Sequence, residues 1–497
     1  AIEAYLRADA PYDCAGSAKV ESLGIALLEA VAAEGSITKA AKVLGLSYKG
    51  AWDAAQAQLL PNAAVPAGQR PVLLRTMNGL PQVDMTRPSV AGVSVNQFSQ
   101  FDIDPHGAII NNGRQASPTA LAGWVAANPS LQAGEASVIV NEIRSKDSSR
   151  LQGYIEVAGG KAALIIANPA GIRCNGCGFL HASRVELATA KPVIADGRIT
   201  GYTMGDGMLE FAGRGLDATG VDSLSLLTQA ARINAGIWAK DLRISLQATV
   251  ATGSVATSPA DSPTFALDVA HIGGMYAQRI WLVGTAQGLG ARNGGTWSAR
   301  ESLTMSMNGK LENSGSMDAP ALAIQATKID NVAHGKLLGT RIALQADRIA
   351  NVGHPDASPV IAANTEVKIA ARVLENTDQA VLFSGGDMHI GRHRNDADQI
   401  TGKAEQVLNR FATIEALGKL DIRTEKLQNL NNGVETEEVQ IGPTVQLAYL
   451  QPNGSSTKYT MDHFYWTPWS RAGQYKWVSD KSKLESGIPG KTPLPDV

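Results

Sequence analysis

The chain has 497 residues, a formal net charge of −2, 5% aromatic residues and 50 glycines. The near-neutral balance gives no chain-wide basic surface, so no nucleic-acid partner is expected. No apolar run approaches the roughly 18 residues of a membrane-spanning helix. Many small residues and few bulky aromatics favour thin, repetitive β-coils over a thick globular core.

Residues 1–56 differ from the rest because their apolar residues recur at helical spacing. Residues 24–54 resemble the helix-turn-helix of ModE-type molybdate regulators, and residues 1–29 resemble a fragment of Maf-type nucleotide pyrophosphatases. The matching parts include neither the regulator's ligand domain nor the pyrophosphatase's catalytic part. We therefore predict a short, chimaeric α-helical leader without retained function, with a DNA-binding regulator fragment as the alternative.

The tripeptide Ala55-Gln56-Ala57 has the A-x-A form of a signal-peptidase site. Helical sequence stands where the apolar part of a signal peptide would precede it. The sequence as given is therefore expected to lack a working export signal.

Residues 58–310 contain short strand-like runs separated by turns, such as Val138-Ile139-Val140 and Ala163-Leu164-Ile165-Ile166. Two Asn-Pro turns interrupt them. Proline fixes φ and glycine permits a left-handed conformation, so both motifs predict sharp turns. The motifs are Asn128-Pro129-Ser130-Leu131 and Asn168-Pro169-Ala170-Gly171.

Cys174 and Cys177 form a glycine-rich C-x-x-C turn. A zinc site would need a second ligand pair, and the candidates, His389 and His393, lie far downstream, so no metal site is expected. A thioredoxin-like role is disfavoured because no helix former follows Cys174. The sequence leaves open a local disulfide or a free pair of thiols.

Residues 311–450 repeat with a period near 20 residues, which is typical of a solenoid. Each copy has Ile or Leu two residues before a closing asparagine, and these apolar side chains are expected to point into a shared β-helix interior. We expect each asparagine to adopt a left-handed bend at a coil corner and to bond to the asparagine of the neighbouring coil. The closing residues are Asn313, Asn331, Asn351, Asn376 and Asn429.

Residues 451–497 form an aromatic-rich segment and a linker. The aromatic residues between Tyr459 and Trp477 could stack sugar rings, but covering the end of the β-helix or starting a further module is the expected role. The Pro-, Gly- and Ser-rich tail is expected to be a linker.

No catalytic constellation stands out in the sequence. Asp102 and Asp104 alternate like an acid pair, but we expect two solvent-facing carboxylates. His389 and His393 flank Gly391 and are expected on the solvated surface. Neither an enzymatic activity nor a cofactor is predicted, and a β-helical carbohydrate-active enzyme is the alternative.

In this order, the motifs of residues 58–310 resemble the secretion domain of two-partner-secretion exoproteins (TpsA). These are the filamentous haemagglutinin and contact-dependent-inhibition effector family. The repeats of residues 311–450 resemble the haemagglutinin repeats of the family's shaft. Further landmarks are GVSVNQFSQFDIDPHGAIINN at 92–112, RINAGIWAKDLRI at 232–244 and GGMYAQRIWLVGTAQGLGARNGG at 273–295.

With the repeats, the resemblance implies an all-β fold: a right-handed parallel β-helix with an N-terminal cap and extra-helical β-hairpins, preceded by the helical leader. It also implies that the POTRA domains of a TpsB-type outer-membrane transporter recognise the unfolded domain. The chain would fold outside and be secreted or displayed on the surface of a Gram-negative bacterium.

The family's two motifs match Asn128 to Leu131, with a departure at Ser130, and Asn168 to Gly171, where Ala170 is one of the family's variants. Changes at Asn128, Pro129, Asn168, Pro169 and Gly171 are expected to impair secretion.

The predicted function is that of the secretion domain and filament shaft of an adhesin or contact-dependent-inhibition protein, and the CNGCG turn favours the latter. The chain is expected to be a monomer, with the transporter and a receptor or glycan on a host or neighbouring cell as partners.

Overall fold

The computed structural model describes residues 59–66, 70–247, 265–285 and 288–431, together with Lys42 and four short strands between 449 and 478. The chain divides into two units, 1–432 and 433–497. The predicted helical leader lies outside the described residues apart from Lys42, so this part of the fold prediction is unsupported. Among the described residues, no helix is long and apolar enough to cross a membrane.

The described part of the first unit is a parallel β-helix. The strands of its coils belong to one 31-stranded sheet, and each coil pairs in parallel with the coils before and after it. Parallel crossovers of this kind are right-handed as a rule. The all-β prediction is confirmed.

The cap and the first coils contain seventeen strands, with a 3₁₀ helix between β7 and β8. These are β1 (Leu59–Pro61), β2 (Val72–Arg75), β3 (Pro81–Asp84), β4 (Val93–Phe101), β5 (Ala108–Asn112), β6 (Ser117–Thr119), β7 (Gly123–Val125), the 3₁₀ helix (Pro129–Leu131), β8 (Val138–Ile143), β9 (Ser149–Leu151), β10 (Tyr154–Gly159), β11 (Ala163–Ala167), β12 (Ile172–Cys174), β13 (Cys177–Leu180), β14 (Arg184–Ala188), β15 (Ala190–Ala195), β16 (Arg198–Met204) and β17 (Leu209–Phe211).

The following coils are built from longer strands, many of which bend around a corner. These are β18 (Leu216–Thr228), β19 (Ala231–Ile233), β20 (Gly236–Leu246), β21 (Phe265–Val269), β22 (Gly274–Gly284), β23 (Gly290–Asn293), β24 (Thr296–Met307), β25 (Lys310–Asn313), β26 (Ser316–Gln325), β27 (Lys328–Val332), β28 (Lys336–Val352), β29 (Val360–Thr377), β30 (Val381–Ser384), β31 (Asp387–Gly391), β32 (His393–Arg394), β33 (Ile400–Thr401), β34 (Ala404–Arg410), β35 (Thr413–Ala416), β36 (Leu420–Ile422) and β37 (Thr424–Leu430).

Antiparallel pairs occur at the N-terminal end of the β-helix and in hairpins outside its coils. At the N-terminal end of the β-helix, β1 pairs with β4 and β2 pairs with β3 in antiparallel fashion. The hairpins β6–β7, β15–β16 and β32–β33 pair only within themselves, as two-stranded sheets outside the coil. The N-terminal cap and the extra-helical hairpins are therefore confirmed.

One continuous apolar core fills the interior of the β-helix. Because side chains alternate between the two faces of a strand, every second residue points inward. The main cluster of buried residues extends from Leu59 to Val407, and two smaller clusters are separate from it. Near the cap, Phe98 and Phe101 pack edge to face with ring centroids 4.9 Å apart, and further along Trp297 is fully buried.

A ladder of asparagines runs along one corner of the coils. In each rung the Nδ2 amide donates to the Oδ1 atom of the next asparagine, at distances of 2.8 to 2.9 Å. The predicted bonding between closing asparagines is confirmed. The ladder also includes two asparagines, Asn293 and Asn409, that are not among the five predicted closing residues. Its members are Asn293, Asn313, Asn331, Asn351, Asn376, Asn409 and Asn429.

Two details of the repeat prediction are wrong. None of the ladder asparagines has a positive φ, whereas Ala333, Asp378 and Phe411, each two residues after a ladder asparagine, do. At Asn331, Asn376 and Asn409 the asparagine still lies on the strand, and the left-handed residue comes two positions after it. The Leu427 side chain is also 57% exposed rather than interior, since β37 pairs with β34 and with no other described strand.

The second unit contains four short described strands in two antiparallel pairs. These are β38 (Tyr449–Leu450) with β39 (Tyr459–Thr460), and β40 (Tyr465–Pro468) with β41 (Tyr475–Val478). The expectations for the aromatic cluster and for the linker concern side chains and residues outside the described part of the chain.

Candidate functional site

The first Asn-Pro motif caps a short helix. The Asn128 side chain accepts a hydrogen bond from the Ser130 amide at 2.9 Å, which is the bond expected of an N-cap, and Pro129 occupies the first helical position. The Nδ2 amide of Asn128 donates to the carbonyls of Met85 at 3.0 Å and Asn111 at 3.1 Å. Asn128 is 3% exposed, so all these bonds lie inside the fold.

Leu131 closes this motif and is fully buried in the main core. The neighbouring Asn111 also donates to Asp84 at 2.8 Å, and Gln82 donates to the same carboxyl at 2.7 Å. Burial raises the pKa of Asp84 above its ordinary value, although these two hydrogen bonds act in the opposite direction. The motif is therefore tied to the buried polar residues of the cap.

The asparagine of the second motif makes the same kinds of hydrogen bond as Asn128. The Asn168 side chain accepts from the Ala170 amide at 2.9 Å and donates to the Asp147 carbonyl and the Ser149 hydroxyl at 3.0 Å each. Asn168 is fully buried. Gly171 has a φ of +119°, and a Cβ there would lie 2.8 Å from the Ser148 hydroxyl, so glycine is required at this turn.

The structure does not bring the two motifs together. The first precedes β8 and the second follows β11, and these two strands are paired parallel neighbours. The motifs therefore lie at opposite ends of this strand pair. In the folded state each asparagine serves its own corner, and both have their hydrogen-bonding groups engaged inside the protein.

Beside the second motif lies a polar cavity of about 440 Å³, lined by Asp102, Asp147, Ser148, Arg150 and Arg173 among others. Asp102 is buried and accepts from the Arg150 backbone amide at 2.7 Å and from its guanidinium at 2.8 Å. The expectation that Asp102 faces solvent is wrong, because its partner, 48 residues away, is brought alongside by the coil. Asp104 instead accepts from the His106 amide at a turn.

Cys174 and Cys177 are joined by a disulfide across the turn between β12 and β13. Both are buried in the main core. Asn175, between them, accepts from the Arg214 amide at 3.2 Å, which links this turn to the next coil. The bridge thus staples one corner of the β-helix.

The histidine pair lies on strands and not on a helix. His389 is in β31, 3.8 Å from the Asp421 carboxylate, and His393 is exposed in β32. In the described part of the chain, no group of three or more His, Cys, Asp or Glu side chains could hold a metal ion.

A comparison with known families accounts for this architecture. The sequence model of the TPS secretion domain matches residues 57–313, which is more than half of the chain. The chain belongs to this family. The predicted resemblance to the two-partner-secretion exoproteins is confirmed, and the matched region is a secretion domain.

Among its relatives, Toxin CdiA of Yersinia pestis is 43% identical over 293 residues, 57% of this chain and 9% of that protein. The tRNA nuclease CdiA-2 of Burkholderia pseudomallei (strain 1026b) is 40% identical over 270 residues, 52% of this chain and 9% of that protein. The matched region thus spans about a tenth of these relatives' length. Proteins of this family are secreted across the outer membrane of Gram-negative bacteria, which confirms the predicted localisation to that extent.

A solved structure, the crystal structure of the filamentous hemagglutinin secretion domain, is also similar. The match covers 75% of this chain and 99% of that chain, with 24% sequence identity and a TM-score of 0.47.

Proposed function

We propose that this chain directs export through a TpsB-type outer-membrane transporter. The observation that carries the proposal is the TPS secretion domain match over residues 57–313. A β-helix suits this task, because each coil buries its apolar face on the previous one and folding can propagate along the array. The capped N-terminal end offers a place for that folding to start.

The two Asn-Pro motifs contribute to export through folding in this proposal. Asn128 and Asn168 are buried with their amides engaged, so a transporter could read them only before the chain folds. Losing the Asn128 amide would remove a donor from the Met85 and Asn111 carbonyls, and losing the Asn168 amide would remove a donor from the Asp147 carbonyl and the Ser149 hydroxyl. Each buried group left unsatisfied costs about 1–3 kcal/mol. A corner weakened in this way would slow the folding that draws the chain outward.

The test is secretion of the chain behind a working signal peptide, with and without a TpsB transporter. We expect transporter-dependent appearance in the medium, and loss of export for the double variant Asn128→Ala/Asn168→Ala. The matched control is Asn308→Ala/Asn395→Ala, which removes two exposed asparagines and should leave export unchanged. Secretion that is independent of the transporter would overturn the proposal.

A refolding measurement separates folding from recognition. The purified double variant is diluted from urea, and its recovery of β-structure is followed by circular dichroism. Slower or incomplete refolding, parallel to the export defect, supports the folding role. Normal refolding together with lost export would instead assign the two motifs to recognition of the unfolded chain.

We further propose that the chain serves a protein of the contact-dependent-inhibition type, as secretion domain and shaft. Support comes from relatives named Toxin CdiA and tRNA nuclease CdiA-2 that share this region. We also propose that the chain is a monomer and that its partner is a receptor or glycan on a neighbouring or host cell. Neither the carbohydrate-active enzyme nor the DNA-binding regulator is favoured.

A further inference from the structure

An outward-facing column of side chains crosses five successive coils on one face of the β-helix. The register of the paired strands sets its order. With neighbouring strands about 4.8 Å apart, the column is roughly 20 Å long. Three of its five members are aromatic in a chain with only 5% aromatic residues. In order, the column contains Tyr154, Gly178, Asp217, Trp238 and Tyr276.

Trp238 and Tyr276 form an exposed stacked pair. Their ring centroids are 6.0 Å apart and their planes differ by 14°. Each ring lies against the glycine two residues earlier on its own strand. A Cβ at Gly236 would come 2.4 Å from the indole, and one at Gly274 would come 2.6 Å from the tyrosine. These glycines leave space for the rings, which remain 41% and 37% exposed.

The other face of the indole looks toward the preceding coil. There Gly215 is buried, and a Cβ on Gly215 would lie 2.0 Å from the Gly236 carbonyl oxygen, so the two backbones are in close contact. Asp217 is the next outward-facing residue on the strand, and the Tyr154 hydroxyl donates to it at 2.8 Å. The exposed indole and the Asp217 carboxylate thus lie on the neighbouring strands β20 and β18.

This coil carries two charged side chains of opposite sign, Asp217 and Arg214. Asp217 accepts from the Thr219 amide and hydroxyl. Partial burial raises the pKa of Asp217, but hydrogen bonds from Thr219 and Tyr154 outweigh this effect and hold the pKa below its ordinary value. Arg214, exposed on the same coil, bonds to the Gln152 carbonyl and supplies the nearby positive charge.

We propose that this column is a binding site for a neutral oligosaccharide. The C–H face of a sugar ring can stack on the indole of Trp238, while its hydroxyls donate to Asp217 and accept from Arg214. One acid and one base without excess charge favour a neutral ligand over an ionic one. The column length suits several sugar units. This site rests on the glycan partner of the proposed function, but its binding test does not depend on export.

The test uses the purified full chain and immobilised neutral hexasaccharides built from glucose, galactose, mannose or N-acetylglucosamine. Binding to at least one is expected, followed by titration calorimetry with the free sugar. Trp238→Ala should weaken binding at least ten-fold, and Asp217→Asn should weaken it as well. The matched control is Trp281→Ala. Trp281 is also exposed, at 48%, but lies on another column with Arg243 5.3 Å from its ring.

Each result decides the matter. Binding that is lost with Trp238→Ala and kept with Trp281→Ala supports the site. Absence of binding to every hexasaccharide, or equal loss in both variants, overturns it. Thermal unfolding of each variant is measured in parallel. If Trp238→Ala lowers the melting temperature and leaves sugar binding unchanged, the aromatic pair only shields the glycine backbone and the proposal is wrong.

Discussion

The asparagine ladder makes a sharp prediction at its buried centre, Asn351. This side chain is 1% exposed. It accepts from Asn331 at 2.8 Å and donates to Asn376 Oδ1 at 2.8 Å and to the Val381 carbonyl at 3.0 Å. We predict that Asn351→Ala strongly destabilises the coils on both sides of this rung.

The magnitude follows from the partners left behind. Asn331 retains the carbonyls of Gly335 and Val360 as acceptors, so its amide remains satisfied. The Oδ1 atom of Asn376 loses the donor of this rung, and an unsatisfied buried acceptor costs about 1–3 kcal/mol. The lost bond to Val381 adds about 1 kcal/mol. The expected loss is therefore about 3 kcal/mol, before any cavity is counted.

The control is Asn429→Ala at the exposed end of the ladder. Asn429 accepts from Asn409 at 2.9 Å in a solvent-exposed setting, so its loss should cost less than about 1 kcal/mol. Asn351→Asp is a second probe, since a carboxylate keeps the shape but cannot donate to Asn376, and it should destabilise at least as much as alanine.

Urea unfolding followed by circular dichroism gives the global effect. Because long repeat arrays depart from two-state behaviour, amide hydrogen exchange in β28 and β29 should be measured beside it. Protection in these strands should fall in Asn351→Ala and stay unchanged in Asn429→Ala. Equal effects of the two variants, or a loss below about 1 kcal/mol for Asn351→Ala, would refute the view that the ladder stabilises the coils.

Three further predictions concern the cap and the corners. Gly171→Ala should lower the free energy of unfolding by about 1–3 kcal/mol, because a φ of +119° strains any side chain. The control Gly201→Ala, with open space around the added Cβ, should lower it by under about 1 kcal/mol. Thermal unfolding compares the two variants. Leu131→Ala should lose about 2–5 kcal/mol through the cavity it leaves, and Ser130→Ala much less; comparable urea midpoints would contradict this. Asp84 has a raised pKa in the fold, so its protonated form is favoured there. The free energy of unfolding of the wild type, minus that of Asp84→Asn, should therefore increase as the pH is lowered from 7 toward 4. A difference between the two proteins that does not change with pH would contradict this prediction.

Much of the coil was predictable because its chemistry repeats along the chain. The apolar residue two positions before each closing asparagine is fully buried at Leu311, Ile329, Ile349 and Leu374, as the alternation along a strand requires. Asn409 escaped detection because the hairpin β32–β33 lengthens the preceding coil, so that 33 residues separate it from Asn376.

Other features could not be read from the sequence, because they depend on which residues the coil brings side by side. Asn293 has Ala291, not Ile or Leu, at the apolar position of its rung. Asp102 meets Arg150 across 48 residues, and the alternation of Asp102 with Asp104 gave no sign of that partner. The aromatic column depends in the same way on the register of five strands that lie far apart in the chain.

The Asn-Pro motifs and the ladder use the asparagine side chain for one physical purpose. At a coil corner the backbone leaves the sheet, and its carbonyls need donors that the sheet no longer supplies. The Asn168 amide donates to one such carbonyl, that of Asp147, and to the Ser149 hydroxyl at a single corner, whereas the Asn313 amide donates to both a backbone carbonyl and the next rung. A ladder amide is satisfied only when the neighbouring coil is in place, while a motif amide is satisfied within the first coils. If export is coupled to folding from the cap, motif substitutions should therefore act early and block secretion, and ladder substitutions should permit secretion of a less stable shaft.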